Sequence, residues 1–187
     1  MQLYQIRDLA IASGRAVYSV QQLSNLISKP RTVATVYLSR LVKKKLATKV
    51  MKGTVSFVDD QFVIATQLVE PSYISLNSAM LFHRLIQQVP NRIECVTSKN
   101  SLKYENIKAV YHKIPKDLFF GYERHSKTSS YVFVAEPEKA IIDGIYLNLY
   151  GREDLNELLP KVNRTRLLEL SKRFSGRGVK KIMAMIK

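Results

Sequence analysis

Nine cations and no carboxylate lie between Leu9 and Val58: Arg15, Lys29, Arg31, Arg40, Lys43, Lys44, Lys45, Lys49 and Lys52. An ordinary solvated surface mixes both signs, so an acid-free stretch of this length makes a field that gathers anions. The commonest dense anion in a cell is a nucleic-acid backbone, with one charge per about 1.7 Å of duplex. Thr32, Thr35 and Val36 stand among these cations. Threonine and arginine can address base edges, and valine can meet a thymine methyl. The chemistry these residues imply is recognition of an anionic polymer.

Elements that would position them can be read from the spacing. Residues 3–12 place Leu3, Ile6, Leu9 and Ala10 near one helical face, and Gly14 suits the end of that helix. Ser19 precedes Val20, Leu23, Leu26 and Ile27 at helical spacing and reads as an N-cap. Ser28-Lys29-Pro30 breaks that helix, and Pro30 fits the first turn of the next one, which runs to about Lys45. Ala34, Leu38, Leu41, Val42 and the stem of Lys45 form its core-facing stripe. Thr32, Val33, Val36, Ser39, Arg40 and Lys43 form the opposite face. The two valines either face a DNA groove or pack on the first helix, and the pattern leaves both open.

Leu46 to Val58 then alternates loosely on either side of Lys52-Gly53, which signals a basic hairpin. Helix, turn, helix and hairpin is the order of a winged helix-turn-helix, whose second helix reads the major groove while the wing reaches phosphate or minor groove. The expected DNA contacts are Lys29, Arg31, Thr32, Thr35, Val36, Arg40 and Lys43 from the helix region, with Lys49 and Lys52 from the wing.

After Pro71 the pattern changes. Ser75 reads as the cap of a helix from Leu76 to about Val89, and Ile93–Thr97, Ala109–Ile114 and Tyr131–Ala135 read as strands. Pro137 opens a helix carrying Ala140, Ile141, Ile145, Tyr146 and Leu149. Residues 154–159, 164–174 and 179–186 read as further helices. The expected fold class is α+β: a winged helix-turn-helix domain over residues 1–70 and a mixed α/β domain over 71–187 with basic C-terminal helices.

The first segment carries ten basic and four acidic residues (+6) and the second twenty and eleven (+9), within a total of +15. RNA or an anionic membrane would answer that charge as well as DNA does. The second half could therefore hold a surface directed to RNA or to a protein partner, with the first domain as a scaffold. Lys161 to Lys187 is basic along one side and apolar along the other, which first suggests a packing helix pair with solvated cations.

Other chemistries find little support. The lone Cys95 sits in a strand pattern and cannot form an intrachain disulfide. His83, His112 and His125 lack metal-ligand spacing, so no metal or cofactor is expected. No catalytic constellation stands out. Arg177 between Gly176 and Gly178 could hold a phosphate, but a turn is the simpler reading. No apolar run approaches the ~18–20 residues of a membrane span, and MQLYQIRDLA lacks the pattern of a signal peptide. A cytoplasmic location is the default expectation.

Three segments of the second half carry a resemblance. YISLNSAMLFHRLIQQVPNRIECVT (from Tyr73), FFGYE (from Phe119) and AEPEKAIIDGIYL (from Ala135) resemble the AbiEi-like antitoxin family of type IV toxin–antitoxin systems. The resemblance spans residues 5–150 in order, and residues 151–187 inherit little from it. It implies a transcriptional autorepressor that binds inverted repeats in its own promoter. It also implies that the C-terminal domain opposes a nucleotidyltransferase-like toxin without a stable complex. Without the family, Pro137, Glu138 and Gly121 read as structural: a helix start, an anion at the helix N-terminus and a backbone punctuation mark.

Overall fold

The structure, a computed structural model, describes residues 1–174 and 176–186, without the side chain of Arg177. The phosphate-holding reading of Arg177 and the final cation, Lys187, lie outside the described residues. The fold is α+β. The chain divides into two compact units: Met1–Glu70 with Glu105–Ile107 and His125–Val132, and the remainder from Pro71. The first unit thus takes in two short segments that a single cut at Pro71 assigns elsewhere. Hydrogen bonds explain this membership. Gln67 Nε2 donates to Ser130 Oγ (2.8 Å), Ser130 Oγ donates to the Gly14 carbonyl (2.9 Å), and Asn106 Nδ2 donates to the Val50 carbonyl.

In the first unit, α1 (Leu3–Ala12), β1 (Val17–Ser19), α2 (Val20–Ile27) and α3 (Arg31–Lys43) precede a hairpin of β2 (Thr48–Met51) and β3 (Thr54–Ser56). β3 lies between β1 and β2, antiparallel to both. Ile6, Ala10, Tyr18, Leu23, Ile27, Ala34, Leu38, Leu41, Ala47 and Val55 form one buried cluster. Full burial of such an aliphatic side chain contributes about 1.5–3 kcal/mol, so the helices are held chiefly by this cluster. Ser19 caps α2 as expected: its Oγ accepts from Gln22 N, and Gln22 Oε1 accepts from Ser19 N.

Pro30 stands just before α3 as its N-cap instead of inside the first turn. The helix ends at Lys43 because Lys45 turns to φ +55, which exposes Lys45 and removes it from the core stripe. α4 (Gln61–Leu68) was not legible in the sequence. Asp60 Oδ1 caps it, accepting from Phe62 N and Val63 N.

Most of a six-stranded sheet, in the order β6-β7-β5-β4-β9-β8, belongs to the second unit, while residues 125–132 of β8, β9 and their turn belong to the first. The strands of this sheet are β4 (Ser72–Ile74), β5 (Ile93–Thr97), β6 (Leu102–Tyr104), β7 (Ala109–Lys113), β8 (Tyr122–Lys127) and β9 (Ser130–Ala135). β4 pairs antiparallel with β5 and parallel with β9, and β5 pairs parallel with β7. Cys95 is buried in β5, where burial pushes its thiol far above the usual range.

The helices of this unit are α5 (Leu76–Phe82), α6 (Pro137–Tyr146), α7 (Arg152–Leu158), α8 (Arg164–Ser171) and α9 (Gly176–Ile186). α5 is shorter than the expected run to Val89, because Arg84 adopts φ +60 and ends it. Among the described residues no helix is long and apolar enough to cross a membrane.

Candidate nucleic-acid interface

α3 turns two kinds of face outward. Ala34, Leu38 and Leu41 are buried, while Thr32, Val33, Thr35, Val36, Ser39, Arg40 and Lys43 are exposed. Val33 is 38% exposed and Val36 48%, so neither valine is fully buried. Thr35 Oγ1 donates to the Arg31 carbonyl at 2.9 Å. Its proton is therefore engaged, and the hydroxyl is left as an acceptor toward anything outside.

The turn before α3 is built without glycine. Ser28 takes a left-handed conformation at φ 51, and Ser24 Oγ donates to the Lys29 carbonyl at 2.6 Å. That bond fixes the backbone from which the exposed Lys29 side chain projects.

The hairpin supplies the second wall. Gly53 sits at φ +73 in its turn, and its carbonyl accepts from Val20 N at 3.0 Å, tying the tip to the start of α2. A bulge between Lys49 and Met51 shifts the β2 register against β3. Such a bulge re-aims side chains and tightens twist. Lys49 and Lys52 are both exposed.

Between α3 and the hairpin runs a groove of ≈ 330 Å³. Leu38, Val42, Met51 and Val55 give it apolar walls, and Thr35, Ser39 and Lys49 also line it. Of the residues expected at a DNA contact, this groove gathers Thr35 and Lys49. Arg31, Thr32, Val36, Arg40 and Lys43 share α3 but do not line it, and Lys29 and Lys52 stand on the flanking turns. Ser39 is an exposed groove hydroxyl on α3 that the contact set omits. Its place four residues after Thr35 and four before Lys43 was the available signal.

Pairing separates one cation from the other eight. Arg15 is held by Glu70 in a two-pronged contact at 3.1 and 2.8 Å. Among the described residues, the side chains of Lys29, Arg31, Arg40, Lys43, Lys44, Lys45, Lys49 and Lys52 take part in no ion pair, and all eight residues are exposed. Unpaired cations of one sign leave their field available to an external anion.

A second constellation lies in the other unit. Lys139 on α6 is fully buried and pairs with Asp143 one turn later. Its Nζ also donates to Tyr73 Oη at 2.9 Å, while Tyr73 Oη and Ser75 Oγ donate to Asp143 Oδ2 at 3.0 and 2.8 Å. Ser75 thus precedes α5 without capping it, its hydroxyl being held by Asp143. Tyr122 stacks on Tyr73 with ring centres 4.6 Å apart, and the Lys139 ammonium stands 5.1 Å from the Phe120 ring centre. Gly121, at φ +69, passes so close to the lysine stem that an added Cβ would stand 3.0 Å from Lys139 Cγ.

Three sequence segments, around Tyr73, Phe119 and Pro137, therefore meet at one buried ammonium. Burial pulls the Lys139 pKa below the ordinary lysine value, and the Asp143 carboxylate opposes that pull. With hydrogen bonds to Tyr73 and Asp143 and no exposed surface, Lys139 is arranged to fix packing. Among the described residues no three His, Cys, Asp or Glu side chains gather as a metal ion would require.

Neither a known family model nor a curated protein sequence matches the chain. Among solved structures the chain is similar to the RV2827C protein from Mycobacterium tuberculosis. The TM-score is 0.57 at 11% sequence identity, over 98% of this chain and 75% of that one. At that identity the likeness shows the fold alone.

Proposed function

We propose that the chain is a winged helix-turn-helix DNA-binding protein that represses its own promoter and acts as the antitoxin of a type IV toxin–antitoxin system. The observation that carries the DNA-binding part is the set of eight unpaired cations around the exposed Thr32–Val36–Arg40 face of α3 and the adjoining hairpin. On this reading α1, α2 and α3 form the helical part, with α3 as the recognition helix. The β2–β3 hairpin is the wing. Arg31, Thr32 and Arg40 address base edges, Val36 meets a thymine methyl, and Lys29, Lys43, Lys49 and Lys52 contact phosphate.

The antitoxin part rests on the resemblance of the second unit to AbiEi-like antitoxins. Its implied partner is a nucleotidyltransferase-like toxin, opposed from the cytoplasm without a stable complex.

The competing reading places the functional surface on the basic second unit, directed to RNA or to the toxin. Several cations there are already engaged. Arg166 contacts Glu136 and Glu169, Lys161 contacts Glu157, and Arg173 lies 3.6 Å from the Phe120 ring centre. Engaged cations add less to a free field, so the first unit is favoured as the nucleic-acid surface.

Gel-shift titration of the chain's upstream promoter tests the proposal. Arg40→Ala should weaken specific binding by about 1–3 kcal/mol if the guanidinium reads a guanine with two nitrogens. Thr32→Ala and Val36→Ala should alter sequence preference. Unchanged affinity and preference in all three variants would remove α3 from the role of reader.

A further inference from the structure

Val50 is the residue that the β2–β3 ladder skips. Lys49 lies opposite Val55 and Met51 opposite Thr54, its neighbour on β3, so no partner residue remains for Val50. The extra residue of a bulge drops out of the ladder, and its backbone groups need other partners. Here the residue is held at both ends. Its side chain is buried, and its carbonyl accepts from Asn106 Nδ2. Asn106 comes from a short turn of 3-10 helix, Glu105–Ile107, which lies between β6 and β7 in sequence but groups with the first unit. Ile107 anchors that turn by its burial, while Asn106 itself is exposed.

We propose that Asn106 is a positioning residue of the DNA-binding face: by holding the Val50 bulge, it fixes the side of the wing on which Lys49 presents its ammonium. The inference rests on the DNA-binding reading of the first unit. It deepens that reading with a residue from outside the helices and the hairpin.

The register decides where Lys49 points. Side chains alternate along a strand, so a slip of one residue carries each of them to the other face. The hairpin tip cannot absorb a slip, because the Gly53 carbonyl accepts from Val20 N at 3.0 Å. Loss of the bulge therefore slides the part of β2 before the tip. Val50 then stands opposite Val55, and Lys49 opposite Ser56. In the observed register Lys49 lines the groove beside α3, is exposed and forms no ion pair. In the slipped register its side chain leaves that face. β2 is an edge strand with β3 on one side only, so no further strand pins it. The Asn106 amide stands where such a strand would pair.

Gel-shift titration of the full chain on its upstream promoter, repeated across a salt series, tests this. The variants are Asn106→Ala, Asn106→Gln, Lys49→Ala and the double variant Asn106→Ala with Lys49→Ala. Asn106 lies outside the buried cluster, and binding is compared at a temperature where every variant is fully folded. Asn106→Ala should reduce the log–log salt slope by about 1, the amount of one lost phosphate contact. That slope makes affinity fall about eightfold at 0.1 M salt, a loss that vanishes toward molar salt. In the Lys49→Ala background the further loss should stay below about twofold, because both changes remove the same contact. Asn106→Gln keeps an amide donor and should recover most of the slope.

Wild-type affinity and slope in Asn106→Ala overturn the positioning role and leave the DNA-binding reading intact. So does a weakened Asn106→Ala that keeps its slope, or one that loses as much again in the Lys49→Ala background, since the effect then bypasses Lys49. Asn106→Gln no better than Asn106→Ala removes the amide hydrogen bond as the cause and overturns the inference as well. Absence of specific promoter binding by the wild type overturns the DNA-binding reading and this inference together.

Discussion

Arg15 and Glu70, 55 residues apart in the first unit's main segment, meet through a two-nitrogen contact on one carboxylate. Arg15 Nε also donates to the Val17 carbonyl at 2.7 Å and Nη2 to the Gln67 carbonyl at 3.2 Å. These bonds hold the guanidinium against its own chain, which the other eight cations of the acid-free stretch do not do. On the proposed reading, Arg15 serves stability and the other eight face the ligand.

That division gives a paired prediction. Arg15→Ala should lower unfolding free energy by about 1–2 kcal/mol, because the ion pair is partly solvated and the carbonyl bonds supply the rest. It should leave the salt dependence of DNA affinity unchanged. Lys49→Ala and Lys52→Ala should do the reverse. Each lost phosphate contact should reduce the log–log salt slope by about 1, with little effect on the unfolding midpoint. Denaturant titration and salt-series binding measure the two properties separately. A reduced salt slope in Arg15→Ala would return that residue to the ligand surface.

Lys139 and Asp143 give a prediction about the second unit. Lys139→Met removes one partner and leaves a buried carboxylate uncompensated, which costs about 3–5 kcal/mol. Adding Asp143→Asn to that variant removes the uncompensated charge, yet its amide oxygen can still accept from Tyr73 and Ser75. The double variant should recover a substantial part of the loss. Chemical denaturation of the wild type and the two variants decides it. A double variant no more stable than Lys139→Met would mean that charge compensation is not what the pair contributes.

Legibility of this molecule followed the range of the interactions. α1, the Ser19 cap of α2, α3, the turn at Lys52-Gly53, β5 and α6 could be read because periodicity and local caps specify them. β1, β4, β6 and α4 could not. The strands are three residues long, too short for alternation to register, and α4 buries Val63, Ile64, Ala65, Thr66 and Gln67 in succession, which hides a helical stripe. The Ser75 hydroxyl read as a local cap, but it serves a carboxylate 68 residues away. Only the spacing of Lys139 and Asp143 on one helix hinted at the buried network. Its other members come from distant strands and turns. At the interface the cations and hydroxyls of α3 were visible as types, but their lack of internal partners and the groove beside them required the fold.

His112 supplies a pH dependence. Its Nε2 is buried without a hydrogen-bond partner among the described residues, and burial holds the imidazole below its ordinary value despite the opposing field of Asp143. A base with a depressed folded pKa binds its proton more readily in the unfolded chain. This contribution is thus fully present above the unfolded value of about 6.5 and is lost as the pH falls below it. Unfolding free energy should decline between pH 7 and pH 5.5. His112→Gln should flatten that decline, because glutamine does not titrate. An equal decline in the variant would assign the dependence to other groups.

The division of labour between the units is best tested without cutting the chain. A cut at Pro71 would strip the first unit of Ser130, which bridges Gln67 and Gly14, and of Lys127, which stands 3.3 Å from Asp60. The isolated segment would then be a weakened version of the unit, and a loss of function would be ambiguous. Substitutions on the exposed face of α3 avoid that problem, since Thr32, Arg40 and Lys43 contribute nothing to the buried cluster. The hypothesis is that DNA reading resides on α3 and antitoxic action on the second unit. It is motivated by the Tyr73, Phe119 and Pro137 segments meeting around Lys139, within the second unit. A chain carrying Thr32→Ala, Arg40→Ala and Lys43→Ala should lose promoter binding. It should still rescue cells in which the toxin is expressed from an unrelated promoter. Such a promoter matters because repression of the native one could otherwise mimic rescue. If the triple variant folds with wild-type stability but no longer rescues, antitoxic action requires the α3 surface, and the separation of roles between the units fails.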